Sequence, residues 1–169
     1  LLDIRRIKTF VAWFFGNILL ATISEAAPLP LGLDKSQFER RVPAYLKTLP
    51  SCKALTLSDP HPMIEEAGAG WKYFAQGASK SEVLVQASDE QLTRIIVKAS
   101  SSSEPVLRDM RCMTYALMLA VQPKYSIQHL VLSDSKKLWR LAQGGPYSQL
   151  YFFITFEARL TPVQLDVYR

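Results

Sequence analysis

Two histidines limit the proton chemistry open to this chain. His61 stands in "SDPHPMIEEAGAG", between Pro60 and Pro62, with Asp59, Glu65 and Glu66 close by in sequence. Imidazole titrates near neutrality and ligates metals. A rigid loop carrying His61 with Asp59 or Glu66 is therefore a candidate metal or general-base site, as in a small hydrolase. The spacing matches no helical ligand pair such as HExxH, and the prolines exclude one. The bland alternative is that His61 sits in a solvated loop with at most one helical turn. Glu65 and Glu66 are adjacent, so on such a turn they diverge by about 100° and do not converge on one glycosidic bond. His129 reads as an outward residue of a strand over 129–133, with Leu130 and Leu132 facing in. No G-x-S-x-G elbow surrounds a serine. The glycines of "AGAGWKYF" precede a strand, whereas a phosphate cradle joins a strand to a helix N-terminus. No residue is assigned a catalytic role on this pattern, and none implies a cofactor.

The two cysteines, Cys52 and Cys112, have a different reading. The stretch Arg5 to Pro28 has the form of an export signal: Arg5, Arg6 and Lys8, then an almost wholly apolar Thr9–Ile23, then Ser24-Glu25-Ala26 with small residues at the first and third places. The apolar run reaches about 15 residues where a spanning helix needs about 20. Cleavage is expected after Ala26, leaving 27–169 as one domain without a stable membrane anchor. The alternative keeps residues 9–23 as the anchor of a membrane-tethered accessory protein. Lys8 stands where a twin-arginine signal favours an aromatic residue, so general secretion is the better match. No cysteine lies at the cleavage point to be acylated. An exported chain, periplasmic or secreted, meets oxidising conditions, and Cys52 and Cys112 are expected to form a disulfide.

Net charge is +5, but the basic residues are scattered, with short pairs at Arg40-Arg41 and Lys136-Lys137. Nucleic-acid proteins concentrate such charge in a stripe, so nucleic acid is not an expected partner.

The elements follow from periodicity. Asp34 and Gln37 form a capping-box pattern, and Phe38, Val42, Tyr45, Leu46 and Leu49 recur at helical spacing, with Pro43 expected to kink or divide the helix. Three alternating segments, Trp71–Gln76, Glu82–Ala87 and Leu92–Lys98, are joined by short polar connections and read as an antiparallel meander. Ser103 to Val121 reads as the central helix, apolar almost all round in its second half, with Arg108, Arg111 and Tyr115 on its more polar side. A strand over 129–133, a short helix "KKLWRLAQ", one long strand over 151–160 and a final alternating "VQLDVYR" complete the chain. Pro162 argues for an edge strand or a bend there. The fold class is α+β: an antiparallel sheet, meander plus two or three later strands, with a long central helix and shorter helices on one face.

What remains for function is surface. In each alternating strand one set of aromatics faces away from the helices. Trp71 or Phe74, with Tyr151 and Phe153, flanked by Arg94, Lys98 and Arg159, are the candidates for a partner-binding face. The expected partner is an envelope or extracellular protein or polysaccharide. The leading expectation is a non-enzymatic binding, adaptor or inhibitor-type protein.

Overall fold

Asp34 starts the first helix. Its carboxylate accepts from the Gln37 amide at 2.7 Å, and the Gln37 side chain accepts from the Asp34 amide at 3.3 Å, so two otherwise orphaned donors are satisfied reciprocally. The computed structural model describes residues 27–65, 68–78, 80–123 and 127–169; residues 1–26, on which the export-signal expectation falls, and Glu66 lie outside the described residues. Helix α1 (Lys35–Thr48) buries Phe38, Val42 and Leu46 and runs unbroken through Pro43. Pro43 is half-exposed, and burial of that stripe outweighs the one lost backbone bond.

After a 3₁₀ turn, Pro50–Cys52, come β1 (Thr56–Leu57) and β2 (His61–Glu65). Then follow β3 (Gly68–Gln76), β4 (Lys80–Ser88) and β5 (Gln91–Lys98), the expected meander. "SDPHPMIEEAGAG" is thus not mostly loop: His61 to Glu65 pairs antiparallel with β3, His61 opposite Lys72. Pro62 is tolerated because β2 pairs on one side only, where a missing donor breaks no second ladder.

Helix α2 (Glu104–Val121) is buried at every position from Cys112 onward, as a central helix requires. Tyr115 is buried too, its hydroxyl 3.1 Å from Thr48 Oγ1 of α1. Residues 129–133 do not form a strand. They are the start of α3 (Gln128–Leu141), which also absorbs the short helix expected after them. Its buried residues, Val131, Ser135, Leu138 and Trp139, follow the helical period, and His129 is exposed on its first turn.

The long strand over 151–160 is likewise two strands. β6 (Tyr147–Tyr151) and β7 (Ile154–Leu160) form a hairpin through the two-residue turn Phe152-Phe153. β8 (Val163–Tyr168) follows across Thr161-Pro162, whose peptide is cis. Pro162 lies in that turn and not in the strand, so β8 is no edge: it is inserted between β5 and β7. The eight strands, all antiparallel, run β1-β3-β4-β5-β8-β7-β6, with β2 also on β3.

The three helices of the described residues lie over one face. Tyr73, Val83, Val85, Ile95, Val97, Leu165, Val167, Phe156 and Ala158 point into them and are buried. Cys52 and Cys112 are joined by a disulfide, tying the end of α1 to the middle of α2. The fold is α+β with an antiparallel sheet. Among the described residues, no helix is long and apolar enough to cross a membrane.

Candidate functional site

Strand alternation and register place the residues of the second sheet face in rows. One row runs Phe74, Glu82, Lys98, Gln164, Arg159; the next Lys72, Leu84, Ile96, Asp166, Glu157, Ser148; a third Gln86, Arg94, Tyr168, Thr155, Leu150. No described helix lies over this face. Four of the seven residues chosen from sequence, Phe74, Arg94, Lys98 and Arg159, are brought together on it.

Trp71 is not among them. It has the parity of Tyr73, so it packs against the core from the margin, with Lys35 Nζ 5.4 Å from its ring centre. Tyr151 is also displaced. The turn after it resets the alternation, so it pairs with Ile154 and packs at the edge of the core, its ring edge-on to Phe152 at 4.9 Å and to Phe156 at 6.2 Å.

The centre of the face is electrostatic. Asp166 is buried, its side chain only 3 % exposed. Arg94 closes a two-pronged pair on it, Nε donating to Oδ1 at 2.9 Å and Nη2 to Oδ2. That bonding to Asp166 raises the Arg94 pKa above its ordinary value. Glu157 accepts from Arg159 Nη2 and, at 3.4 Å, from the Tyr168 hydroxyl. Burial, then the Glu157 charge, pushes the Tyr168 phenol upward. The Arg159 Nε is buried and finds no acceptor among the described residues. Gln86, Arg94, Glu157, Arg159 and Tyr168 border a hollow of about 440 Å³ here.

A second hollow, of about 470 Å³, lies at Phe74, Lys80, Glu82 and Lys98. Lys80 Nζ stands 3.8 Å from the Phe74 ring centre and Lys72 Nζ 5.1 Å, the geometry of cation–π attraction. Lys72 is answered by Glu82 at 2.6 Å. Lys98 has no ion-pair partner among the described residues.

The third row ends in the β6–β7 hairpin, where Leu150 is 68 % and Phe153 74 % exposed. Both turn residues are in the left-handed region, Phe152 at φ 47° and Phe153 at φ 67°. Two-residue hairpin turns of this kind are ordinarily built from Asn and Gly, because a Cβ at positive φ clashes with its own backbone. The β4–β5 hairpin makes the same turn with Asp89 and Glu90, short of glycine but polar and suited to solvent. At Phe152-Phe153 the chain instead holds two bulky aromatics in an unfavourable conformation at an exposed tip.

Of the proton site expected around His61, Glu66 lies outside the described residues. His61 is exposed on β2, its ring 6.0 Å from Phe74 and edge-on to it, and Asp59 is exposed beyond the strand end. Among the described residues, no three His, Cys, Asp or Glu side chains stand close enough to hold a metal ion. The residues missed from sequence are Asp166, Glu157 and Tyr168. For Asp166 and Tyr168 the signal is alternation with Val163, Leu165 and Val167, legible once β8 is recognised as interior; for Glu157 it is alternation with Phe156 and Ala158 on β7. No known protein family, curated protein or solved structure matches the chain.

Proposed function

We propose that this chain is an exported, non-enzymatic binding protein. It captures an envelope or extracellular macromolecule with the β6–β7 hairpin tip as apolar anchor and the adjoining open sheet face as polar surround. The observation that carries this reading is the Phe152-Phe153 turn. Left-handed backbone at a non-glycine residue costs about 1–2 kcal/mol, and such strain concentrates where function requires a particular side chain to project. An exposed aromatic continuous with arginine-bearing hollows brings together residue types enriched at protein interfaces, and the exposed Leu150 beside it extends the apolar area. The signal-like leader and the Cys52–Cys112 disulfide support export, since disulfides persist in oxidising compartments.

The test is retention from an extract of the protein's own source, with the oxidised protein as bait. Phe153→Gly supplies the residue the turn prefers, so it should raise the melting temperature while releasing a stoichiometric partner. Lys98→Glu, at an exposed and unpaired cation, should weaken the same complex without altering stability. Full retention by Phe153→Gly would refute the anchor. Arg94 is a poor choice for this purpose, because its loss would leave Asp166 buried and unpaired.

A further inference from the structure

Most ion pairs of the sheet face and of α1 are internal: Lys35 with Glu39, Lys72 with Glu82, Arg94 with Asp166, Arg159 with Glu157. The opposite side of the molecule differs. Where α2 and α3 pack side by side, a groove of about 390 Å³ is lined by Leu107 and Arg111 from α2, Lys136, Trp139 and Arg140 from α3, and Gln143 just beyond. Lys136 and Arg140 are one helical turn apart, so they share a face and repel. Lys137 stands beside them at a second hollow with Ser133. Lys136, Lys137 and Arg140 have no ion-pair partner among the described residues. Arg111 pairs with Glu104, a side chain 74 % exposed to solvent and therefore readily displaced.

The floor is apolar. Trp139 is 2 % exposed, and its one polar atom, Nε1, donates to Thr114 Oγ1 in the core at 2.8 Å. What little of the indole reaches the groove is therefore hydrocarbon, and the apolar surface is carried chiefly by Leu107. Cations converging from two helices over an apolar floor describe a ligand with an anionic head and an apolar body. A carboxylate would bring one charge and two oxygens. A phosphate ester brings up to two charges and three acceptor oxygens, a better match to two guanidinium forks and an ammonium. The volume lies within the range of small-molecule sites.

We propose that the α2–α3 groove binds an amphiphilic phosphate ester, its head held by Arg111, Lys136 and Arg140 and its hydrocarbon laid on Leu107 above the buried Trp139. This site is on the other side of the core from the sheet face and does not depend on the reading given for that face.

Titration calorimetry of the purified full chain tests it, with decyl phosphate below its micelle concentration, inorganic phosphate and decyl maltoside. Decyl phosphate should bind at least tenfold more tightly than either of the others. Lys136→Gln/Arg140→Gln should weaken it at least tenfold with the melting temperature unchanged, while Arg40→Gln on α1 should leave it as it was. Equal binding of decyl maltoside, equal binding of inorganic phosphate, or an unaffected double variant would each overturn the proposal. Flotation with vesicles of phosphatidylglycerol distinguishes the sources of the head. Recovery with the vesicles, lost in the double variant, assigns a bilayer lipid; no recovery alongside decyl phosphate binding assigns a free ester.

Discussion

Thr114 serves two partners at once in the core. Its hydroxyl donates to the Met110 carbonyl at 2.8 Å and accepts from Trp139 Nε1 at 2.8 Å. Thr114 and Trp139 are both buried, so no solvent stands ready to replace either bond. Thr114→Val keeps the shape of the side chain and removes the acceptor, leaving the indole N–H unpaired; a loss of about 1–3 kcal/mol is expected. Urea unfolding measures it, and in a Thr114→Val/Trp139→Phe pair the coupling should be non-additive, because the second change removes the group left stranded by the first. Tyr73 poses the same question for a titrating group. Burial chiefly, and then its bond to Glu39 Oε1 at 3.0 Å, pushes its phenol well above the ordinary value of 10.0. Because the folded pKa is raised, the contribution to stability is whole below the unfolded value. It is lost as pH climbs above 10, where the unfolded phenol releases a proton the folded one keeps. Unfolding free energy should fall with pH there by up to about 1.4 kcal/mol per unit on this account, and Tyr73→Phe should flatten the slope. An unchanged slope in that variant would assign the alkaline loss to other groups.

Strands β3 and β4 approach so closely at Gly70 that a Cβ there would lie 2.6 Å from the Val85 carbonyl oxygen. Backbone cannot yield as a side-chain tip does, so Gly70→Ala should cost about 1–3 kcal/mol and show in the unfolding midpoint. A near-neutral result would mean that the edge pair β2–β3 shifts as a unit. Such elements differ in how openly the sequence declares them. The meander was legible because each strand alternates over six or more residues and is bounded by polar connections. The capping box announced α1, and the apolar length of α2 announced a central helix. Residues 129–133 misled because Leu130 and Leu132 alternate over a span too short to separate the two periods. The deciding residues, Leu138 and Trp139, lie a turn or two further on, and Leu130 in fact remains 51 % exposed. The β6–β7 turn was invisible for another reason: nothing at Phe152-Phe153 has turn chemistry, and the alternation of Ile154, Phe156 and Ala158 continues plausibly back through Phe152. The candidate face inherited the second fault. Phe74, Lys98, Arg94 and Arg159 fall on one face because the alternation around each of them was read with the right parity. Tyr151 was misplaced by the unseen turn, and Asp166 was overlooked because the insertion of β8 between β5 and β7 is a pairing made across the whole chain.

The described residues form two layers joined by one disulfide, and that bond closes a long loop. Cys52 follows α1, Cys112 is in the middle of α2 at a sequence separation of 60, and the stretch between them carries β1 through β5. The native state draws little of its geometry from this bond. α1 already packs on α2, with Arg41 Nη1 donating to the Ala120 carbonyl at 3.0 Å and Thr48 meeting Tyr115. The stabilisation therefore falls on the unfolded state, where the bond holds the ends of a long loop together. The loop-entropy relation gives about 4 kcal/mol for a loop of this size. A Cys52→Ser/Cys112→Ser variant should accordingly lose about that much, with its midpoint lowered and its denaturant slope raised, since the freed chain exposes more surface on unfolding. Near-ultraviolet circular dichroism of the folded variant should be unchanged, because the packing around Trp139, Tyr115 and Phe38 does not depend on the bond. A loss below about 1 kcal/mol with an unchanged slope would mean that the reduced, unfolded chain keeps α1 and α2 associated. A collapsed near-ultraviolet spectrum would mean instead that the disulfide shapes the native helix layer, and with it the α2–α3 groove.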